Sequence, residues 1–439
     1  MLRRELALVL RARVTWLQAA LAAVLVGHGF VLAVDLYTAG SRSAATGTLM
    51  AREFDPLLGI VRPTLGGLYL ALSLFGPLVG ARALAIEKDR RTLVTLLLQS
   101  GSVSRVLLRK WTAALAGVGL PLAGTASLFL LWLGVGGHLT ASETVVAIAG
   151  YIAYAAFVTA VGLASAAFAN NFAQAATAAL LTIAGMFAID AAEGFSALAW
   201  MGSAAAWSPT GYLRTFEDGT VAMSSVGWFA AAAVGALCLA GVGCRFDLHG
   251  HRRVATVSAA VVLLIVLCVV GRALPGAWDL TEVRRHSLPP AAAHELANLP
   301  GRLEIAADLD REDSRRRQLE SDTLAKLRLA RPDLSVRWLP DERRAPSAVE
   351  ANDSYGRLTI RLGERSVRTT STSRRELVTL IFELAGRPLP DWSQPDYAGY
   401  PLVVEGRRRT AVLACSYFLV PGIFLLVGVA LTRQRRRKR

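Results

Sequence analysis

Long apolar runs alternate with short polar segments over most of this chain. Eight of these runs reach the length of about 20 residues that a helix needs to cross a hydrocarbon core about 30 Å thick. They cover residues 14–36, 59–81, 111–136, 144–168, 172–191, 224–243, 254–274 and 410–432, with only three residues between the fourth and the fifth. The pattern predicts a polytopic α-helical membrane protein with about eight transmembrane helices.

Two polar segments interrupt the series of spans. Residues 82–110 place a charged, leucine-rich insert between the second and third spans, and residues 275–409 form a polar block between the seventh and eighth. In the block, alternation of apolar and polar positions predicts strands at GRLEIAADL and LSVRWL and a hairpin turning at Gly363–Glu364. Helices are expected at DREDSRRRQLESDTLAKLRLA and at SRRELVTLIFELAG. A small α/β domain is therefore expected between helices 7 and 8.

Composition and charge support the membrane assignment and set an orientation. The 439 residues are 53% hydrophobic and 18% charged, whereas about a quarter of the residues of a soluble domain are charged. The net charge of +15 comes largely from arginines that flank the spans, which is the positive-inside pattern and not a nucleic-acid-binding surface. We expect a multi-pass protein of the bacterial cytoplasmic (inner) membrane, with both termini in the cytoplasm and the polar block outside it.

The N-terminal segment MLRRELALVLRAR has two interpretations. It resembles the charged region of a signal peptide, with cleavage near TAGSRSAA, and it also suits an interfacial amphipathic helix that leads into the first span. The second interpretation is favoured because the leader would be long.

Few residues suggest catalysis or metal binding. The four cysteines lie in or beside predicted spans, so no disulfide framework or zinc pattern follows. The acids of DLDRED suit either a cation site or a helix N-terminus, and His249 and His251 alone make a weak metal site. Asp35, Asp190 and Glu193 fall at outer ends of spans, and His286 and His294 lie near the start of the polar block. No metal site and no catalytic residue are expected.

The insert reads AIEKDRRTLVTLLLQSGSVSRVLLRK at residues 85–110. Its periodicity predicts a short helix over Glu87–Gln99 with leucines on one face, ended by Gly101, and a serine cap on the next helix. On periodicity alone the favoured interpretation is an interfacial helix that anchors two spans. A local ion pair of Glu87 with Arg90 or Arg91 is the alternative to a coupling role for Glu87.

The insert resembles the coupling region of type-2 ABC transporter permeases. In that family, an arginine- and glutamate-bearing segment is followed by Thr-Leu, a leucine run, Ser-x-Pro-x-Ser-Arg and a lysine that enters the third helix. The matching positions here are Glu87, Arg90, Thr92, Leu93, Leu97, Ser100, Ser104, Arg105 and Lys110. The glycine usual before the threonine is replaced by Arg91, and the usual proline is replaced within Ser102–Val103.

The resemblance extends to other segments. FANNFAQAATAALLTI and SPTGYLRTFEDG are similar to the start of the family's fifth helix and to its loop before the sixth, so residues 1–245 resemble one six-helix permease unit. Residues 246–274 supply a seventh helix. The segment 278–439 resembles a shortened auxiliary subunit of gliding-motility-type ABC systems, with its extracytoplasmic part within 275–409 and its anchor at 410–439.

The resemblance implies the permease subunit of an ATP-driven exporter. The chain has no G-x-x-x-x-G-K-[ST] loop, so ATP and magnesium are expected on a separate ABC ATPase subunit, and no cofactor is expected on this chain. Coupling to the ATPase is assigned to Glu87, Arg90, Thr92, Leu93, Leu97, Arg105 and Lys110. A homodimer or a sister permease is expected, together with a periplasmic or envelope partner for residues 275–409.

Two other functions stay open at this point. The chain is alternatively a non-transporting membrane anchor whose outer domain organises an envelope complex. It is also compatible with a membrane-embedded enzyme acting on a lipid-linked substrate, although the sequence offers no convergent acid, base or metal ligands for one.

Overall fold

The computed structural model describes residues 2–45, 56–192, 207–247, 249–282, 287–288, 290–310, 313, 315–316, 319–339, 355–389 and 402–437. Of the positions singled out from the sequence, Glu193 and His286 lie outside this set. Chain contacts divide the molecule into a membrane unit, Met1–Leu280 with Asp396–Arg439, and a second unit, Thr281–Pro395. The two units are described separately.

Eight helices in the described part of the membrane unit are long and apolar enough to cross a membrane, which confirms the predicted number. These spans 1 to 8 are Arg13–Arg42, Leu57–Asp89, Val103–Gly134, Ala141–Phe168, Phe172–Asp190, Met223–Gly243, Gly250–Arg272 and Gly406–Leu431. The helices of spans 1, 5 and 8 continue to Ala45, Ala192 and Arg437. Three shorter helices accompany them, at Leu2–Leu10, Leu93–Ser100 and Pro209–Glu217.

Several helices extend well beyond their apolar runs. Span 2 was predicted to end at residue 81, but its helix continues to Asp89, and span 3 begins at Val103 and not at residue 111. Each extension adds about two turns at 3.6 residues per turn. Most of the charged insert is therefore helical and continuous with the two spans that it joins.

Small residues bring spans 2 and 4 into backbone contact. A Cβ atom added at Gly80 would lie 2.1 Å from the carbonyl oxygen of Thr159, and one added at Gly162 would lie 2.1 Å from that of Pro77. Small residues are favoured at helix contacts in lipid because they let backbones approach closely. Spans 2 and 4 thus form a close-packed pair, against which spans 1, 3, 5 and 6 pack, while span 7 packs on span 6 and span 8 on span 1.

The ends of spans 2, 4 and 6 opposite the insert carry a polar cluster. Arg62 lies 3.3 Å from Asp218 and 3.7 Å from Glu217, and the hydroxyl of Tyr151 donates to Glu217 at 2.6 Å. Nearby, strand β1, Thr220–Ala222, pairs antiparallel with β2, Ala277–Asp279, in a register that joins Val221 to Trp278. This pairing keeps the first residues of the predicted polar block on the membrane unit.

The second unit contains a four-stranded sheet. Its strands are β3, Leu303–Ala307; β4, Ser335–Trp338; β5, Leu358–Leu362; and β6, Arg365–Thr369. Their order is β4-β3-β5-β6, with β3 parallel to β4 and the other pairs antiparallel. Helical segments lie at Pro290–Ala297, Leu319–Leu324, Ala325–Ala330 and Arg374–Ala385.

Local predictions for this unit agree with the described residues. The strands at GRLEIAADL and LSVRWL and the hairpin at Gly363–Glu364 are present, and the last helix ends at Gly386, whose φ is +68°. Within the helix predicted over residues 310–330, the structure has continuous helix from Leu319 to Ala330. Alternate positions of β3 and β5 are buried, as in a sheet with one face on a core.

Candidate functional site at the ends of spans 2 and 3

The site begins with a tight turn after span 2. The helix ends at Asp89, and the amides of Arg91 and Thr92 donate to the carbonyls of Lys88 and Glu87, each at 2.9 Å. Arg91 has a φ of +56°, a conformation that favours glycine, at the position where glycine is usual in the family that the insert resembles. The prediction of one helix over Glu87–Gln99 is therefore wrong, because this turn separates Glu87 from the helix that follows.

The short helix Leu93–Ser100 lies on the spans through its leucines. Leu93 is 3% exposed and belongs to a cluster with Leu84 of span 2 and Leu107 of span 3, against which Leu97 also packs. These contacts seat the short helix on both spans that flank the insert. Leu93 and Leu97 thus occupy the packing face that the sequence predicted for them.

The short helix ends where the sequence predicted. Gly101 adopts a φ of +63° as its C-cap, and its amide donates to the carbonyl of Leu97. Ser102 occupies the N-cap position of span 3, although its side chain makes no capping hydrogen bond to the helix. A guanidinium nitrogen of Arg105 donates to the carbonyl of Ser100 at 3.4 Å. Arg105 therefore braces the turn between the short helix and span 3.

A buried lysine connects three elements at this site. Lys110 of span 3 is 2% exposed, and its Nζ lies 3.2 Å from Oε1 of Glu87 and 3.3 Å from Oε2 of Glu5 in the N-terminal helix. The hydroxyl of Thr92 donates to the other oxygen of Glu87. We call Glu5, Glu87, Thr92 and Lys110 the lysine junction. Since a buried charge is costly without a partner, the junction holds its elements together.

A second lysine extends the connection to span 4. Nζ of Lys88 donates to the carbonyls of Ala167 and Ala169 at 2.6 and 3.0 Å. These carbonyls lie at the C-terminal end of a helix, where backbone acceptors lack intrahelical partners and a cation is favourable. The end of span 2 and the turn that follows it are therefore joined to span 4 through Lys88 and to span 3 through Lys110.

The outer face of the short helix is exposed and apolar. Val94 is 52% exposed and Leu98 78% exposed, and Thr95, Gln99 and Arg90 beside them are also exposed. The described residues give Arg90 no side-chain partner. The helix thus has one face fixed to spans 2 and 3 and another free for a membrane surface or a partner protein.

The structure brings most of the predicted coupling residues together. Glu87, Thr92 and Lys110 share the junction, while Leu93, Leu97 and Arg105 fix the short helix and its final turn. The local pair of Glu87 with Arg90 or Arg91 is wrong, because among the described residues Glu87 pairs with Lys110. Sequence reasoning missed Glu5 and Lys88. Their acid and basic characters were visible, but their partners lie 105 and 79 residues away.

Comparison of the chain with protein-family models, with curated proteins and with solved structures gives no match. Within the described ranges, no three histidine, cysteine or acidic side chains converge as a metal site would require. The arrangement of helices, leucines and charges at the insert is therefore the structural basis for a functional proposal.

Proposed function

We propose that this chain is the transmembrane permease subunit of an ATP-driven transporter, coupled through the insert 82–110 to a separate ATPase. The observation that carries the proposal is the short helix Leu93–Ser100, which has an exposed apolar face on one side and the lysine junction behind it. A partner that pushes on the exposed face acts on spans 2 and 3 together.

The mechanical path has two branches. Leu93 transmits displacement of the short helix to the packed ends of spans 2 and 3, because protein interiors are close-packed and transmit strain. The lysine junction carries the same displacement to the N-terminal helix, and Lys88 carries it to span 4. Closure of the ATPase subunits on ATP and magnesium thereby tilts the helices around the close approach of spans 2 and 4 at Gly80 and Gly162.

The remaining parts of the proposal follow the orientation of charge along the sequence. The insert and both termini face the cytoplasm, and the second unit faces the outside, where it engages an envelope partner or receives the substrate. Two copies, or one copy and a sister permease, form the transport path in a two-fold assembly. Export is the favoured direction.

Affinity purification of the tagged full-length protein in mild detergent, with mass spectrometry of the co-purifying proteins, tests this function. The key variant is Leu98→Asp, which places a charge on the exposed face of the short helix without disturbing its packed face. Leu329→Asp is the matched control, because Leu329 is 75% exposed on a short helix of the second unit.

The proposal expects a subunit with a Walker A loop that co-purifies with the wild type and with Leu329→Asp and is lost with Leu98→Asp. Recovery of envelope proteins alone, in equal amounts from all three proteins, would contradict it and favour a non-transporting anchor. Monodispersity on size exclusion shows that each variant is folded.

A further inference from the structure

A basic cavity lies beside the lysine junction, between the N-terminal helix and the adjoining ends of spans 1 to 3. Its volume is about 740 Å³. Its cationic lining residues are Arg4, Arg11, Arg13, Arg82, Arg90 and Lys110, and its acidic ones are Glu5 and Glu87. Six positive and two negative side chains give the lining a formal charge of +4.

The two acids neutralise the arginines only in part, through the electrostatic interaction of Glu87 with Arg4. Both carboxylates of the cavity are bound to Lys110, and Glu87 also accepts from Thr92. Among the described residues, none of the five arginines makes an ion pair or a side-chain hydrogen bond. The cavity therefore concentrates more guanidinium charge than its two acids balance.

Among the five arginines of the cavity, Arg82 gives the strongest indication of a bound anion. It is half-buried on span 2, one turn before the Ile86–Glu87 pair that also lines the cavity. Removing a charged group from water is unfavourable unless a partner of opposite charge compensates it. A long side chain that served only solubility would extend to the surface, as the exposed Arg11 and Arg13 do.

The composition of the cavity indicates the class of anion. Guanidinium groups bind phosphate through paired, charge-assisted hydrogen bonds. Leu8, Val14 and Ile86 line the same cavity, so apolar atoms lie next to the arginines. The cavity also lies where three membrane-spanning helices end and an amphipathic helix crosses them, which is the level of lipid head groups.

We propose that this cavity binds the phosphate of an anionic phospholipid, with Arg82 at its inner side and Arg11 and Arg13 at its mouth. The bound lipid joins the N-terminal helix to span 2 beside the lysine junction. This site stands independently of the transport function, because it rests on the cavity, its charge and its position at the membrane surface.

Native mass spectrometry of the delipidated full-length protein tests the site, with phosphatidylglycerol and phosphatidylcholine as competing lipids. Arg82→Gln removes the inner charge, and the double variant Arg11→Gln/Arg13→Gln removes exposed charges whose loss does not threaten folding. Arg245→Gln is the matched control, since Arg245 is exposed after span 6 and does not line the cavity.

We expect the wild type to bind its first phosphatidylglycerol at least about tenfold more tightly than phosphatidylcholine. Both lipids carry the phosphate, but the choline group of phosphatidylcholine brings a positive charge into a lining that already has a formal charge of +4. Both cavity variants should lose about tenfold in phosphatidylglycerol affinity, and Arg245→Gln should stay within about twofold of the wild type. Equal binding of the two lipids by the wild type, or equal losses in the cavity variants and the control, overturns the proposal.

Inorganic phosphate distinguishes a lipid from a soluble ligand. We expect millimolar phosphate to leave the first bound phosphatidylglycerol in place, because it lacks the acyl chains that hold a lipid at the membrane surface. Displacement by phosphate at concentrations that also raise the melting temperature would assign the cavity to a soluble phosphate and overturn the lipid assignment.

Discussion

Each unit of this protein buries a cation, but the two units neutralise it differently. In the membrane unit, Lys110 is 2% exposed and binds the carboxylates of Glu5 and Glu87, which belong to different helices. In the second unit, Arg331 is 6% exposed and donates to the backbone carbonyls of Gly301 and Leu296, with Asp333 as its acidic partner.

This difference indicates that Lys110 connects separate helices, whereas Arg331 fixes the conformation of a loop. Backbone carbonyls cannot leave their loop, so Arg331 holds local chain geometry around the start of β3. Side-chain carboxylates on separate helices make Lys110 sensitive to the relative positions of those helices. This contrast supports assigning transmission of movement to the lysine junction and a structural role to Arg331.

Replacement of the junction lysine should have the largest effect. Lys110→Met leaves two carboxylates facing each other without a cation, and removing one partner of a buried ion pair costs about 3–5 kcal/mol. We expect a marked fall in the thermal unfolding temperature in detergent and, under the proposed function, loss of ATP-driven transport.

A variant of the lysine junction without charges distinguishes repulsion between the two carboxylates from the loss of side-chain packing. Lys110→Met combined with Glu5→Gln and Glu87→Gln removes all three charges and should recover much of the stability, since neutral groups need no counter-charge. Transport should stay impaired, because the charged connection between the helices is still missing. If the triple variant is as unstable as the single one, electrostatics does not govern the junction.

Arg331→Met should cost less and act only on the second unit. We expect a loss of about 1.5–3 kcal/mol in total, the usual value for one hydrogen bond to a charged group, because the bond to Leu296 is long at 3.4 Å and Asp333 is 55% exposed. Hydrogen–deuterium exchange on the full chain should show faster exchange in strands β3 and β5 than in the wild type. Faster exchange in spans 2 and 3 would mean that Arg331 does more than fix a loop.

Glu5→Gln should have a still smaller effect, because Lys110 keeps Glu87 as a partner. We expect a loss of about 1 kcal/mol, the usual value for one hydrogen bond, and faster exchange confined to the N-terminal helix Leu2–Leu10. Glu304→Gln is a matched control, since Glu304 pairs with an exposed arginine in the second unit at 3.8 Å. If Glu5→Gln accelerates exchange in the helix Leu2–Leu10 no more than Glu304→Gln does, the contact of Glu5 with Lys110 does not stabilise that helix.

The pair of Asp313 with the exposed Arg315 should give the smallest effect, visible only at low pH. Hydrogen bonds from Arg315 lower the pKa of Asp313 from 3.8 to about 2, and a hydrogen bond from Tyr355 adds to this. A lowered pKa means that the pair stabilises the fold above pH 3.8 and that this contribution fades as the pH falls towards 2.

The magnitude of that contribution is limited by solvent. Arg315 is 44% exposed, so we expect no more than about 1 kcal/mol. Hydrogen–deuterium exchange at several pH values monitors unfolding of the second unit. Between pH 4 and 2, the stability of this unit should depend less on pH in Asp313→Asn than in the wild type. An identical pH dependence in the two proteins would show that the pair does not contribute.

The hydrophobic pattern along the sequence was sufficient to predict the transmembrane spans and strand β3, because each depends on the pattern within its own segment. A span is recognised because its apolar length matches the bilayer, and β3 is recognised because its alternate residues are buried. The ends of spans 2 and 3 were placed about two turns short because their polar residues are held by distant groups. Lys88 at the end of span 2, for example, binds carbonyls at the C-terminal end of span 4.

The sequence identified most residues of the candidate site but not the contacts that they make with distant parts of the chain. The resemblance to a known coupling region identified Glu87, Thr92 and Lys110 as a group, and the departure at Arg91 marks the backbone position with a φ of +56°. Nothing in the local sequence joined Lys110 to Glu5, because that contact depends on how the N-terminal helix folds back on span 3. The pairing of β1 with β2 was missed for the same reason.

Site-specific photocrosslinking in living cells tests the central claim most directly. A photoreactive residue is placed at Leu98, and the same residue at Leu329 is the control. We predict that position 98 crosslinks to a protein that carries a Walker A loop, and that position 329 does not. Adducts at position 98 that contain only lipid would contradict the claim and make the short helix an interfacial anchor.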